Sequence, residues 1–372
     1  MQYTNQMENI LFSSWDDTGT EEYQNVLNIL QTDFRSFGEG LLDILSKKAK
    51  EKVANPLECL KAMCVEADID ISDIGSTNSL KSWFSDGPRP KKGEDSRDKM
   101  FALTFALKLT AAETADLFHK VYLDRAFNQR NYKELIYYYC INRQLSFSHA
   151  KDLISKVEFD LTACDKTVYT AKLVEETSAL NDDTALIAYI NSHAHNFAIN
   201  TKSAKAELNN QKEKALDFAR LEAESAWDHS LYYGTNMASD SFLYEIITER
   251  TVSGDKGTVT LPFKNADLPK EIKNNFPQVK SLSDKVDSYE ELRKAIILLF
   301  SYSFWREATS QNAYDIFDDY IDQLNDLLIR ANLPELYYGN PYDWMFLYCT
   351  YADNPLDTFR GILSAVLDKE EE

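Results

Sequence analysis

Two stretches far apart in the chain share one pattern of polar and hydrophobic positions. Residues 131–140, NYKELIYYYC, and residues 340–349, NPYDWMFLYC, both begin with Asn, carry an acid three places later and end in an apolar run closed by Tyr-Cys. A short apolar run by itself fits a strand as well as a helix. An Asn followed by an acid at the third helical position is typical of a capping-box-like helix start. The pattern therefore predicts a buried helix at each place.

The likeness between these two parts of the chain extends upstream. Residues 97–107, RDKMFALTFAL, and residues 293–304, RKAIILLFSYSF, both predict largely apolar helices. After the first comes the capping box Thr110-Ala-Ala-Glu113, which opens another helix. After the second, and about a dozen extra residues, comes the run YDIFDDYIDQLNDLLIRANL, which predicts a helix as well.

The order of these elements is the same in residues 97–157 and 289–367, which predicts two related four-helix modules. The alternative is a pair of unrelated capped helix hairpins. That alternative stays open because residues 131–154 and 340–363 share only three identities without gaps.

The remaining pattern favours an all-α, multi-helical fold. Only 11 Gly and 9 Pro occur, so long uninterrupted elements are expected. Residues 39–70 predict two helices broken near Asn55-Pro56, and residues 201–233 predict one long polar helix. The run GTVTLPF indicates a short strand in a β-hairpin near 251–263, or an extended linker. The predicted segments are an N-terminal helical region (1–95), the first module (96–158), a polar acidic helical region (159–250), a linker (251–286) and the second module (287–372).

Charge narrows the classes of partner. The net charge is −20 and the pI about 4.7, so the chain repels nucleic acid and anionic lipid at long range. Residues 80–100 are locally basic, with six bases and four acids, so any anion binding must be local. No stretch approaches 18 consecutive apolar residues, and the first residues do not resemble a secretory signal. Five cysteines, an odd number, then suggest reduced thiols in the cytoplasm.

Candidate chemistry is sparse. Cys59 and Cys64 lack the paired spacing of a zinc site, and His193 and His195 would point apart on a helix. Cys140 and Cys349 lie in apolar runs where a buried inert thiol is the default. The sequence also contains no nucleophile elbow and no phosphate-binding loop. We therefore expect no cofactor and rank an enzyme last among the function classes.

One passage, TNSLKSWFSDGPRPKKGEDSRDKMFALTFALKLTAAE, resembles phage-repressor-like helix-turn-helix regulators. The residues that match are Leu80, Lys81, Trp83, Gly87, Arg89, Pro90 and the helix MFALTFALKLT. The resemblance implies a DNA-binding regulator in which Lys81, Arg89, Lys91 and Lys92 contact phosphates. The upstream helix of that family is poorly matched here by AMCVEADIDISDIG. A solvated basic loop after a buried Trp83 is the alternative interpretation.

More broadly, the stretches RDKMFALTFALKL, RNYKELIYYYCINRQLS, DLPKEIKNNFP and YGNPYDWMFLYC resemble a group of uncharacterised multi-helical proteins of Gram-positive bacteria. That resemblance implies no particular activity. We expect a non-enzymatic regulatory or interaction protein that binds a protein partner through helical surfaces. Its partner surface is predicted to include Tyr337, Tyr338 or Tyr342. The acidic run at 315–326 is either a solvated helix face or a docking surface for a basic partner.

Overall fold

The computed structural model describes most of the chain. The described residues are 2–13, 20–50, 52–85, 90, 93–159, 170–197, 202–225, 236–254, 257–261, 276–283, 285–286, 288–308 and 313–365. Over these residues the predicted all-α, multi-helical fold is confirmed. In the same residues we find no helix that combines the length and the apolar character needed to cross a membrane.

In chain order the helices are α1 (Gln2–Ser13), α2 (Thr20–Thr32), α3 (Phe37–Ala49), α4 (Pro56–Glu66), α5 (Ile71–Ile74), α6 (Thr77–Trp83), α7 (Glu94–Ala106), α8 (Ala111–Asp116), a π-helical segment (Leu117–Tyr122), α9 (Tyr132–Asn142), α10 (Phe147–Ser155), α11 (Thr170–Ser178), α12 (Asp183–Ser192), α13 (Ala194–Phe197), α14 (Lys202–Ser225), α15 (Asp240–Ile247), a 3-10 helix (Val279–Leu282), α16 (Tyr289–Glu307), α17 (Ala313–Arg330), α18 (Pro341–Tyr351) and α19 (Pro355–Ala365). Two strands, β1 (Arg250–Gly254) and β2 (Gly257–Leu261), pair antiparallel.

Polar caps explain where many of these helices begin. The side chain of Asn131 accepts from the N–H of Lys133, and that of Asn340 accepts from the N–H of Tyr342. Asn55 caps α4 in the same way, so the predicted break there is confirmed. Each cap satisfies a backbone donor that has no partner inside its helix.

The chain divides into two compact units. Unit 1 joins residues 1–34 to residues 203–372, and unit 2 is residues 35–202. The N-terminal helices belong to unit 1 because they pack on its C-terminal helices: the indole of Trp344 donates to the carbonyl of Met7 at 3.1 Å. These boundaries differ from the five predicted segments, since packing joins pieces that are distant in sequence.

Each unit has its own hydrophobic core built around helices that are buried on nearly all sides. In unit 2 these are α7 and α9, and in unit 1 they are α16 and α18. A helix that is apolar all round must be covered all round to be stable in water. The two core helices predicted from the Tyr-Cys runs are therefore present, one in each unit.

Candidate functional site

A buried arginine joins two helices of unit 2. Arg97, near the start of α7, is only 6% exposed. Its Nε and Nη2 donate to the two carboxylate oxygens of Glu134 at 2.7 and 2.8 Å, and its Nη1 donates to Asp124 at 2.8 Å. Burial by itself lowers the pKa of Arg97, but the two carboxylates outweigh it and raise that pKa above its ordinary value.

The same side chains hold the loop that precedes α9. Arg97 donates to the backbone carbonyls of Arg125 and Ala126, both at 3.0 Å. The carboxylate of Glu134 accepts from the backbone N–H of Asn128 at 2.7 Å. The ion pair thus fixes the backbone of residues 123–131, and we call it the Arg97 cluster.

Unit 1 contains a second cluster of this kind. Arg293, in the first turns of α16, donates through Nη1 and Nη2 to Asp343 of α18, both at 2.7 Å. Its Nε and Nη2 also donate to the carbonyls of Pro334 and Glu335 at 2.9 and 2.8 Å. Asp343 is 0% exposed and accepts from the N–H of Tyr337 at 3.0 Å. We call this the Arg293 cluster.

The two clusters follow one register. Counted back from the carboxylate residue, the capping Asn lies three positions earlier, the N–H donor six, and the two bonded carbonyls eight and nine. Eleven positions earlier the chain leaves the preceding helix through a residue with φ of 57°, which is Leu123 in unit 2 and Asn332 in unit 1. Loops 123–131 and 332–340 are therefore equal in length and held by the same backbone contacts.

These contacts correct one sequence prediction. Glu134 and Asp343 were expected to act as capping-box acids at the third helical position. Both carboxylates turn inward instead, since an ionised acid that is at most 2% exposed needs a buried cation. Only the Asn half of each predicted cap is formed. By contrast, the capping box of Thr110 and Glu113 is complete.

The predicted tyrosine surface is only partly exposed. Tyr342 is 1% exposed; its hydroxyl donates to the carbonyl of Lys294 at 2.8 Å, and its ring packs against Phe346. Tyr337 is 6% exposed. These two rings fill the core of unit 1, so the prediction that they line a partner surface is wrong. Tyr338 is half-buried and remains accessible.

Tyr338 interacts electrostatically with acidic groups of two helices. Burial, followed by the charges of Glu8 on α1 and Asp318 on α17, raises the pKa of its hydroxyl to about 12. One turn along α1, the ring of Phe12 is 39% exposed and meets the ring of Phe317 edge-on at 5.8 Å. We call Glu8, Phe12, Asp318 and Tyr338 the Tyr338 surface. It offers aromatic edges beside negative charge.

The outer face of α17 continues this negative charge. Its exposed acids are Asp318, Asp319, Asp322 and Asp326. The opposite face of α17 packs into the core through Tyr320, Leu324 and Leu328. This division into faces is the one that the acidic run at 315–326 predicts, although it does not distinguish a solvated face from a docking surface.

Of the four residues predicted to contact DNA, the structure describes one. Lys81 is exposed in the last turn of α6, while Arg89, Lys91 and Lys92 lie outside the described residues. Trp83 is 7% exposed and its ring meets that of Phe37 edge-on at 5.2 Å. The indole is therefore a core group.

The buried cysteines have no sign of activation. Burial, together with the charge of nearby Asp183, raises the pKa of the Cys140 thiol to about 12. Asp183 itself accepts from the hydroxyl of Tyr139 at 2.9 Å and pairs with His149 at 2.9 Å. Burial likewise raises the pKa of Cys349 well above its ordinary value. Across the described residues, no group of His, Cys, Asp and Glu is arranged to hold a metal ion.

The arginine of each cluster was missed as a partner of the acid. In the two similar stretches of sequence, Arg97 corresponds to Arg293 and Glu134 corresponds to Asp343, so both members of each ion pair occupy corresponding positions. A charged residue that recurs inside an apolar run is the signal that would have found them, since lone charges are rarely buried. Comparisons with protein-family models, with curated proteins and with solved structures gave no match.

Proposed function

We propose that this is a non-enzymatic regulatory or interaction protein that binds a protein partner at the Tyr338 surface of unit 1. The observation that carries the proposal is that the half-buried Tyr338 interacts with the charges of Glu8 and Asp318, while the exposed Phe12, one turn from Glu8, packs on Phe317 next to Asp318. Aromatic rings supply contact area at low entropic cost, and the acids select for a basic segment. The partner is accordingly a polypeptide with lysine or arginine beside an apolar residue.

The proposal includes an origin for the scaffold. We infer that the two four-helix modules are related copies, because in both clusters the loop groups that are bonded lie at the same sequence separations from the carboxylate residue. The free thiols of Cys59, Cys64, Cys140 and Cys349 fit the proposed cytoplasmic location.

Site-directed photo-crosslinking tests this function. Tyr338 is replaced by a benzophenone amino acid, and the matched control carries the same group at Val65 of unit 2, which is 81% exposed. In native lysate we expect a discrete polypeptide adduct from position 338 only. We also expect Asp318→Lys, or a rise to about 0.5 M salt, to reduce the yield because charges are then reversed or screened. Equal adducts at both positions, unaffected by Asp318→Lys, would contradict the proposal.

DNA binding is the second proposed function, and the exposed position of Lys81 at the end of α6 favours it. It is tested by fluorescence anisotropy of a random DNA duplex over a salt series. Binding that falls linearly with the logarithm of salt concentration, and that disappears in Lys91→Glu/Lys92→Glu, is the expected result for a DNA-binding regulator. Absence of binding at low salt would remove non-specific DNA contact as a function.

A further inference from the structure

We propose that each buried arginine–carboxylate pair is a loop-holding device, used twice in this protein, that fixes the backbone of one loop of its unit in the same way although the loop side chains differ. Arg97 and Arg293 are then positioning residues for loops 123–131 and 332–340. The inference goes beyond the proposed function, because it concerns how a surface is held and does not depend on a partner.

The contacts themselves support this role. A guanidinium has five N–H donors, more than one carboxylate requires. Arg293 directs its remaining donors at the carbonyls of Pro334 and Glu335, and Arg97 directs its own at Arg125 and Ala126. Each carboxylate in turn accepts from a loop N–H, at Tyr337 or Asn128. A pair that served only to join two helices would not need these loop contacts.

The loops differ in every side chain that precedes the capping Asn. They read LDRAFNQR in unit 2 and NLPELYYG in unit 1. Despite this, each begins at a residue with φ of 57°, and the N–H of the capping Asn donates to the carbonyl three residues before it, at 2.9 Å in both. Backbone contacts to the ion pair are what the two loops share, so these contacts account for the shared conformation. In unit 2 the loop residue Asp124 adds a side-chain contact to Arg97.

One consequence concerns Tyr338, which lies in loop 332–340 next to Tyr337, whose N–H is bonded to Asp343. Its counterpart in unit 2 is Gln129, at the same distance from the carboxylate residue. The same frame thus presents an aromatic group in one unit and an amide in the other. The same frame therefore tolerates side chains of different chemistry at this position.

Amide hydrogen exchange of the full chain tests the device. Arg293→Leu/Asp343→Leu removes both charges together, so no buried charge is left unpaired. We expect the amides of residues 335–340 to exchange at least about tenfold faster, while the central amides of α16 and α18 keep their protection. The matched variant Arg97→Leu/Asp124→Leu/Glu134→Leu is expected to release loop 123–131 and to leave loop 332–340 unchanged.

Two results would overturn the proposal. One is unchanged exchange in the loop of the substituted unit. The other is an increase shared equally by the loop and the helices of that unit, which would show that the pair only stabilises the fold. If the double variant fails to fold, Arg293→Lys supplies the test. Lysine keeps the positive charge but lacks the several N–H donors of the guanidinium. We then expect faster amide exchange in the loop, while the helices keep their protection. Unchanged loop exchange in a folded Arg293→Lys protein would contradict the device as well.

Discussion

The Arg97 and Arg293 clusters bond the same positions of their loops, but the acid that pairs with the arginine differs. Glu134 is one methylene longer than Asp343, and Arg97 meets it with the near edge of the guanidinium, Nε and Nη2. Arg293 meets the shorter Asp343 with the far end, Nη1 and Nη2. The longer side chain of Glu134 thus pairs with the part of the guanidinium that is nearer the arginine backbone, and the shorter side chain of Asp343 pairs with the part that is farther from it. The comparison teaches that the arginine and the loop contacts are preserved, whereas the acid is not.

The clusters also differ in charge. Arg97 contacts two carboxylates, since it donates to Glu134 and, through Nη1, to Asp124. The position that matches Asp124 in unit 1 is Leu333, which is 5% exposed and belongs to the core. The arginine of unit 2 therefore balances more negative charge than the arginine of unit 1, which gives the two units different sensitivity to its loss.

Removing either arginine is the largest expected perturbation. Arg293→Ala leaves one buried carboxylate unpaired and should lower the free energy of unfolding by about 3–5 kcal/mol. Arg97→Ala removes the counter-charge of Glu134 and one hydrogen-bond donor to Asp124, and should cost at least as much. Urea unfolding followed by circular dichroism measures both. Arg293→Leu/Asp343→Leu is the control and should recover most of the loss. A loss below about 1 kcal/mol in both arginine variants would mean that the pairs do not stabilise the units.

A methyl group at Gly339 tests how closely loop 332–340 is packed. A Cβ there would lie 2.6 Å from the ring of Tyr337 and 2.7 Å from that of Tyr3. Gly339→Ala should therefore destabilise the protein by about 1–3 kcal/mol, as overpacking does. The matched position in unit 2 already holds a long side chain, Arg130, so Arg130→Ala creates no overlap and should cost less. Equal losses in thermal unfolding would contradict the close packing at Gly339.

The Tyr-Cys sites allow a matched pair of smaller truncations. Cys140 and Cys349 are both 0% exposed and occupy the same position in α9 and α18. Cys140→Ala and Cys349→Ala should each lower the free energy of unfolding by about 1–3 kcal/mol, because each leaves a small cavity. Loss of partner binding at an unchanged melting temperature would instead indicate a functional thiol.

Alkaline pH should lower the stability of unit 2, and this is the smallest of the expected effects. Burial raises the thiol pKa of Cys140 to about 12 and that of Cys64 to about 11, against 9.0 in an exposed thiol. The unfolded chain therefore loses these protons first, so the stabilisation is complete below about pH 9 and is lost as the pH rises toward 12. Urea midpoints measured from pH 8 to 11 check the sign, and Cys140→Ala should flatten the slope. A midpoint that rises with pH would contradict the assignment.

Much of the fold could be predicted from local signals. Asn55, Asn131 and Asn340 cap the helices that they were expected to cap, and α14 covers most of the long helix predicted at 201–233. These features depend on a few neighbouring residues, which is why the sequence reveals them. The Tyr338 surface could be predicted only in part, because Tyr337 and Tyr342 are tyrosines in the same short segment as Tyr338 and yet are buried.

The sequence by itself determined where many of the helices start, which of them are largely apolar, and which residues recur in residues 97–157 and 289–367. Tertiary structure alone decided what the recurring charges do. Glu134 and Asp343 could cap a helix or enter the core, and the choice depends on an arginine 37 or 50 residues away. It also decided that residues 1–34 join residues 203–372 in one unit. The physical reason is that capping energy is local, whereas burial of a charge is tolerated only when folding brings its counter-charge within hydrogen-bond distance.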